Sequence, residues 1–278
     1  MTRLEDSFRR FHDEIRLSDG THQQIAERLE RLRTVVQKLW RTSELIPIGS
    51  YARGTLVPPP RDVDLMFVLG DAATSTTSPI DALQDTRRRL REEYPNARIQ
   101  KHSVGITFDD FSIDVVPALT TAGGYRIPEL DDANNLAAAS RWVDTKPREH
   151  TERVAQANRK TNGIAGTLIA TLKHMNYGHD SRLKSFHVET MALDALDAGM
   201  PTSQPFPNVL LAAITQLATR VGTACVDSAG GRARIDQNLD GNVRRDVANR
   251  YANDAGTLGE AMRRDDVTIA RRVVPGLP

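Results

Sequence analysis

The chain has 278 residues, a charged fraction of 26% and a hydrophobic fraction of 39%, which are ordinary values for a globular protein. Its formal net charge is only +1, whereas proteins that bind long nucleic acids usually carry a clear basic excess. The single cysteine, Cys225, excludes an internal disulfide and a multi-cysteine zinc site. Because the N-terminal segment is rich in charged residues, no signal peptide is predicted there. No apolar run is long enough to predict a membrane span. We therefore expect a cytoplasmic protein that binds neither membranes nor long nucleic acids.

Apolar residues at helical spacing predict two helices in the first 40 residues, the second with Thr21 as its N-cap. The positions that carry this pattern are Leu4, Phe8, Phe11 and Ile15, and then Ile25, Leu29, Leu32, Val36 and Leu39. After them we predict a strand at 45–48, a glycine turn, an apolar strand at 63–69, a loop at 71–79, a helix at 80–94, and short strands near 99–108 and 111–117.

The second half of the chain has a helical pattern. Residues 120–147 are polar, with several glycines and prolines, and are interpreted as a connection between two lobes. Helices are then predicted at 164–178, 188–196 and 209–224, with another beginning at 243, and a glycine- and aspartate-rich loop at 227–241. The expected fold class is α+β, a mixed sheet with helices followed by a helical lobe.

Three aspartates in apolar strands form the candidate catalytic site. Asp62 and Asp64 lie two residues apart on one predicted strand, so both carboxylates point to the same face. Asp114 lies in another apolar strand, where a carboxylate needs a specific reason to be. Crowded carboxylates repel one another unless cations lie between them, and Mg²⁺ prefers carboxylate oxygens. The pattern predicts a metal site for phosphoryl transfer.

Gly49 and Ser50 precede these aspartates and form the candidate triphosphate-binding turn. Glycine lets the backbone approach a phosphate closely, and backbone N–H groups together with the serine hydroxyl can hold it. The spacing from Gly49 to Gly54 is that of a P-loop, but Thr55 stands where that motif needs lysine, and prolines follow where it needs a helix. A Walker A site is therefore excluded.

The motifs GSYARGT, DVDLMFVL and FSIDVVPAL resemble those of the DNA polymerase beta-type nucleotidyltransferase superfamily. Within it, the chain resembles the bacterial cGAS/DncV-like nucleotidyltransferases (CD-NTases), which are the oligonucleotide cyclases of CBASS antiphage defence. The segments TLKHMNY and LKSFHVE are similar to motifs of their helical lobe. The resemblance implies a polymerase beta-like nucleotidyltransferase lobe at 1–145, which includes the N-terminal helices. It also implies an oligoadenylate-synthase-like helical lobe at 146–278 and an active site in the cleft between the lobes.

Residue by residue, the resemblance implies that the three aspartates bind two Mg²⁺ ions, for which Mn²⁺ can substitute, and that Asp114 draws the proton from the attacking ribose hydroxyl. It also implies that Lys173 and Ser185 reach the donor triphosphate and that Phe186 stacks on a nucleobase. From the residues alone, Lys173 could equally well be a solvated lysine on a helix surface, and Phe186 could equally well be a core residue.

The function implied is the joining of nucleoside triphosphates into a cyclic di- or trinucleotide, with release of pyrophosphate. A separate effector protein would recognise the product as a second messenger. One alternative is a nucleotidyltransferase that modifies a tRNA, a protein or a small molecule. A second is an inactive nucleotide-binding regulatory module, which the three intact aspartates disfavour. Base preference, linkage, ring size, oligomeric state and any activating partner do not follow from the sequence.

Overall fold

The computed structural model describes residues 1–40, 44–70, 77–135, 137–180, 182–227, 234–237 and 239–278. Its helices are α1 (Arg3–Glu14), α2 (Asp19–Trp40), α3 (Gly49–Ala52), α4 (Pro79–Leu90), α5 (Pro147–Lys160), α6 (Ile164–Gly178), α7 (Ser185–Asp197), α8 (Phe206–Arg220), α9 (Gly241–Arg264) and α10 (Val267–Ala270). Its strands are β1 (Leu45–Ile48), β2 (Asp62–Val68), β3 (Arg98–Ile99), β4 (Val104–Thr107), β5 (Ser112–Thr121), β6 (Gly124–Leu130) and β7 (Ser140–Thr145). Most of the loop predicted at 71–79, and about half of the one at 227–241, lie outside the described residues.

The chain divides into two compact units. The sheet unit consists of Ser18–Gly54 and Pro58–Thr151, and the helical unit consists of Met1–Leu17, Thr55–Val57 and Glu152–Pro278. Together they confirm the α+β class, with a mixed sheet and a helical second half. No helix in the described parts of the chain is both long and apolar enough to span a bilayer.

The strands of the sheet unit follow the order β1-β2-β5-β4-β3, with β6 beside β5 and β7 beside β6. Strands β2 and β5 are parallel, whereas β1 with β2 and β4 with β5 are antiparallel. Strand β2 is a nearly continuous apolar run, and Val63, Met66 and Phe67 are fully buried. Such a run is typical of a strand with neighbours on both sides and cover on both faces.

The interpretation of residues 120–147 as a connection between lobes is wrong. Strand β5 extends to Thr121 and forms a hairpin with β6, which in turn pairs with β7 from Tyr125↔Thr145 to Leu130↔Ser140. The polar composition misled the prediction because these strands lie at the side of the sheet, where part of each strand is exposed.

Helix α1 packs in the helical unit, so the division differs from the boundary expected at residue 145. Its apolar face, including Phe8 and Phe11, belongs to the core formed by the helices of the second half, and the rings of Phe8 and Phe206 pack at a tilt of 49° with centroids 5.7 Å apart. A capping box formed by Thr2 and Glu5 begins the helix. Periodicity predicts the helix, but it cannot show which core its apolar face joins.

The N-cap predicted for the second helix is also wrong by three residues. Helix α2 begins at Asp19, and the hydroxyl of Ser18 accepts a hydrogen bond from the N–H of Thr21 at 3.1 Å. Serine and threonine are both good N-caps, so residue type alone did not distinguish Ser18 from Thr21.

Candidate functional site

Strand pairing brings the two central aspartates side by side. In the parallel β2–β5 ladder, Asp64 lies opposite Asp114, and Asp62 lies opposite Ser112. Paired residues on neighbouring strands are about 4.8 Å apart and direct their side chains to the same face. Asp62 is exposed, whereas Asp64 and Asp114 are half-buried. The structure therefore groups the three carboxylates that the sequence predicted.

The pKa values of all three carboxyl groups are raised. Burial raises the pKa of Asp64 to about 6, with a further rise from Asp62 and an opposing effect of Arg53. Burial raises the pKa of Asp114 to about 7, and the charges of Asp64 and Asp62 add to this rise. The pKa of Asp62 is raised by partial desolvation of its carboxyl group next to the strands, and the charge of Arg61 lowers it again in part. The carboxylates thus lie within electrostatic reach of one another.

The glycine turn lies directly against this carboxylate group. The antiparallel β1–β2 ladder pairs Ile48 with Asp64, and Gly49 follows at once. Gly49 has a φ of +69°, and a Cβ atom there would lie 1.8 Å from Asp64 Oδ2. Only glycine accommodates both this backbone conformation and this approach. Ser50 follows in the single-turn helix α3, so the structure brings Gly49 and Ser50 together with the aspartates.

The donor atoms of the site have the chemistry that a hard cation needs. Asp114 Oδ1 is buried and has no hydrogen-bond partner among the described residues, so the protein does not fully satisfy this carboxyl group, and carboxylate oxygens suit a divalent ion. Among the described residues, no three histidine, cysteine, aspartate or glutamate side chains are already arranged closely enough to bind one metal ion together. Like charges keep carboxylates apart when no cation lies between them, so the aspartates fit magnesium by their chemistry and not by preformed geometry.

The other predicted site residues lie in the helical unit. Lys173 is only 1% exposed, and its Nζ atom bonds Glu189 Oε2 at 2.7 Å, Thr55 Oγ1 at 2.9 Å and the Thr55 carbonyl at 3.2 Å. It is therefore not the solvated helix lysine considered from the sequence. Its predicted contact with a triphosphate stays a prediction.

Ser185 and Phe186 are the first two residues of α7, and both are half-buried. The hydroxyl groups of Ser185 and Tyr177 are hydrogen-bonded at 2.8 Å. The roles predicted for them, triphosphate contact and base stacking, stay predictions.

Sequence reasoning missed two groups of residues. Glu189, buried to the same degree as Lys173, was detectable as an acidic residue on the apolar face of α7, next to Val188. Gln100 and Ser103 lower the pKa of Asp114 in part. No feature of the sequence indicated this, because it is the β3–β4 turn that brings the two side chains to the site.

The chain matches known proteins in sequence and in fold. The family described as "Second Messenger Oligonucleotide or Dinucleotide Synthetase domain" matches residues 1–158. A protein of Bacillus cereus (strain VD146) named "Probable cyclic nucleotide synthase" is 26% identical over 196 residues, which are 56% of this chain and 57% of that relative. The cyclic AMP-AMP-AMP synthase of Acinetobacter sp. (strain ATCC 27244 / 9458) is 27% identical over 146 residues, 49% of this chain and 40% of that relative.

These matches cover only about half the length of the two curated relatives. The fold similarity is more extensive, since the structure of E. coli MS115-1 CdnC with ATP has a TM-score of 0.79 and 17% identity, and the match covers 97% of this chain and 96% of that one.

Proposed function

Because the chain belongs to the Second Messenger Oligonucleotide or Dinucleotide Synthetase family, we propose that it is a metal-dependent nucleotidyltransferase that joins nucleoside triphosphates into a cyclic di- or trinucleotide. The observation that carries the proposal is the pairing of Asp64 with Asp114 on parallel strands, with the Gly49 turn packed directly against the Asp64 carboxylate. Phosphoryl transfer needs a phosphate-binding turn next to acidic metal ligands. Two relatives with cyclic nucleotide synthase names support the same activity.

In this proposal, Asp62, Asp64 and Asp114 hold two magnesium ions, which supply positive charge to the triphosphate and to the leaving pyrophosphate. Gly49 and Ser50 bind the donor triphosphate through backbone N–H groups and the serine hydroxyl. Asp114 accepts the proton of the attacking ribose hydroxyl. The hydroxyl oxygen then bonds the α-phosphorus as the bond to pyrophosphate breaks.

We also propose that the product is a second messenger recognised by a separate effector protein in antiphage defence. This part rests on the family resemblance, because residues argue for the chemistry and not for its biological use.

The test uses the purified protein with Mg²⁺ and the four ribonucleotides, supplied singly and in pairs. We expect release of pyrophosphate and a phosphatase-resistant product whose mass is that of a cyclic oligonucleotide. Asp62→Asn keeps the shape of the side chain but removes its charge, so this variant should make no product while its thermal unfolding is retained. A product that forms only with an added tRNA, protein or small-molecule acceptor would contradict cyclisation, and no pyrophosphate release at all would contradict the enzyme.

A further inference from the structure

A second set of residues surrounds Asp114 on the side away from Asp64. In the antiparallel β4–β5 ladder, Gly105 lies opposite Asp114, so the aspartate has an acidic neighbour on one strand and a glycine on the other. The orphaned oxygen Oδ1 borders the space above this glycine. A Cβ atom on Gly105 would lie 3.1 Å from it.

The side chain of Gln100 fills that space. The same Cβ atom on Gly105 would lie only 2.2 Å from Gln100 Nε2 and 3.0 Å from its Cδ, so the amide lies where a side chain at position 105 would be. Ser103 Oγ donates a hydrogen bond to Gln100 Oε1 at 3.2 Å. Because the amide oxygen is held by Ser103, the amide nitrogen is the end that borders the same space as Asp114 Oδ1. No hydrogen bond joins these two atoms in the described residues.

The turn that carries Gln100 is held at several points. The N–H of Gln100 donates to the carbonyl of Ser103 at 2.8 Å, and the N–H of Leu130 donates to the carbonyl of Lys101 at 2.9 Å. Lys101 Nζ also pairs with Glu129 at 3.1 Å. These bonds attach the β3–β4 turn to β6, so the backbone that carries the Gln100 side chain is fixed in place.

We propose that Gln100 is a positioning residue that directs the Asp114 carboxylate towards Asp64 and the metal ions that the two aspartates would hold. Ser103 orients its amide, and the absence of a side chain at Gly105 leaves room for it. An amide donor beside a ligating carboxylate fixes which oxygen faces the ion, and such supporting contacts commonly change metal affinity or activity by 10–100-fold. The inference rests on the proposed function, since it assigns a partner to one of the proposed ligands.

The experiment titrates the full chain with Mn²⁺ alone and follows free Mn²⁺ by electron paramagnetic resonance. Gln100→Ala removes the amide. Gly105→Ala keeps it but displaces it with the new Cβ atom, so two different changes test one contact. We expect both variants to bind Mn²⁺ about 10–100-fold more weakly than the parent chain. The Mg²⁺ concentration for half-maximal pyrophosphate release should rise by a similar factor, while kcat at saturating Mg²⁺ changes much less.

Lys101→Gln is the matched control, because it changes the same turn on the side that faces β6, and its Mn²⁺ affinity should equal that of the parent chain. Thermal unfolding of each variant separates a positioning effect from loss of the fold. Unchanged Mn²⁺ affinity in a folded Gln100→Ala variant would overturn the inference even if the parent chain makes the cyclic product. Conversely, weakened Mn²⁺ binding in the two variants with no product from the parent chain would support the positioning role and refute the proposed function.

Discussion

The buried ion pair between Lys173 and Glu189 allows a sharp test of the helical unit. Both residues are 1% exposed, their charged atoms are 2.7 Å apart, and Thr55 Oγ1 donates to the same carboxylate oxygen at 2.7 Å. Removing one partner of a buried pair leaves an uncompensated charge and typically costs about 3–5 kcal/mol, whereas replacing both partners by apolar residues is often close to neutral.

We therefore expect Lys173→Met and Glu189→Leu each to lower the free energy of unfolding by about 3–5 kcal/mol. This corresponds to a decrease in Tm of roughly 6–20 °C for a protein of this size. The double variant should lose at least about 2 kcal/mol less than the sum of the single losses, because no buried charge is then deprived of its partner at 2.7 Å. It still loses the hydrogen bonds of Thr55, which cost about 1–2 kcal/mol.

The assay is thermal unfolding of the three variants, with Lys146→Met as the control. Lys146 forms a more exposed pair with Glu149 at 3.0 Å, and such pairs contribute only about 0–1 kcal/mol. If Lys173→Met and Glu189→Leu both change Tm by less than about 2 °C, the reasoning from burial is refuted. A Lys173→Met variant with unchanged Tm and a raised KM for nucleotide would instead favour a direct contact with the triphosphate.

Three further predictions concern the candidate site and the response to pH. Gly49→Ala should nearly abolish pyrophosphate release, because its Cβ atom collides with the Asp64 carboxylate. Gly54→Ala, which has a similar φ of +66° but no atom within 4 Å of its Cβ, should show only the strain of about 1–2 kcal/mol, and equal activities of the two variants would contradict the close approach. Asp64→Asn should lower activity on the order of 10²–10³-fold. It should raise Tm at neutral pH, because it removes a buried carboxylate whose charge destabilises the fold. A decrease in Tm would contradict this. Burial lowers the pKa of His187 from 6.5 to about 4, so the unfolded chain binds more protons between these values. The contribution of His187 to stability, which is full at neutral pH, should therefore fall by up to ~3 kcal/mol as the pH drops from about 6.5 to about 4. Denaturant titrations across this range should show a smaller decrease for His187→Asn than for the parent chain, and an equal decrease in both would refute the assignment.

Much of the local structure was predictable because its causes are local. The apolar run of β2, interrupted by Asp62 and Asp64, is visible within eight residues, and two residues on one strand necessarily share a face. Helices α6 to α9 follow from apolar residues at a period of 3.6. Strands β6 and β7 were missed, because strands at the side of a sheet carry too many polar residues for a burial pattern to show.

The Asp64–Asp114 pair shows most clearly what could not be predicted from the sequence alone. That Asp114 belongs with Asp62 and Asp64 followed from residue type and from the resemblance to a family. Its position opposite Asp64, which is 50 residues earlier in the chain, depends on the parallel register of β2 and β5. A shift of one residue in that register would turn Asp114 to the other face.

The amino-acid sequence by itself determined most of the helices, the strands that carry the aspartates, where the glycine turn lies, and which carboxylates are candidates for metal binding. Each of these depends on the chemistry of residues that are close along the chain. The tertiary structure decided that α1 joins the helical core, that Lys173 is paired with Glu189, and that Gln100 is brought to Asp114 across Gly105. Contacts of this kind join residues that are distant along the chain or lie on opposite sides of a turn. Their free energy depends on burial and on the distance between atoms, which no local pattern of residues specifies.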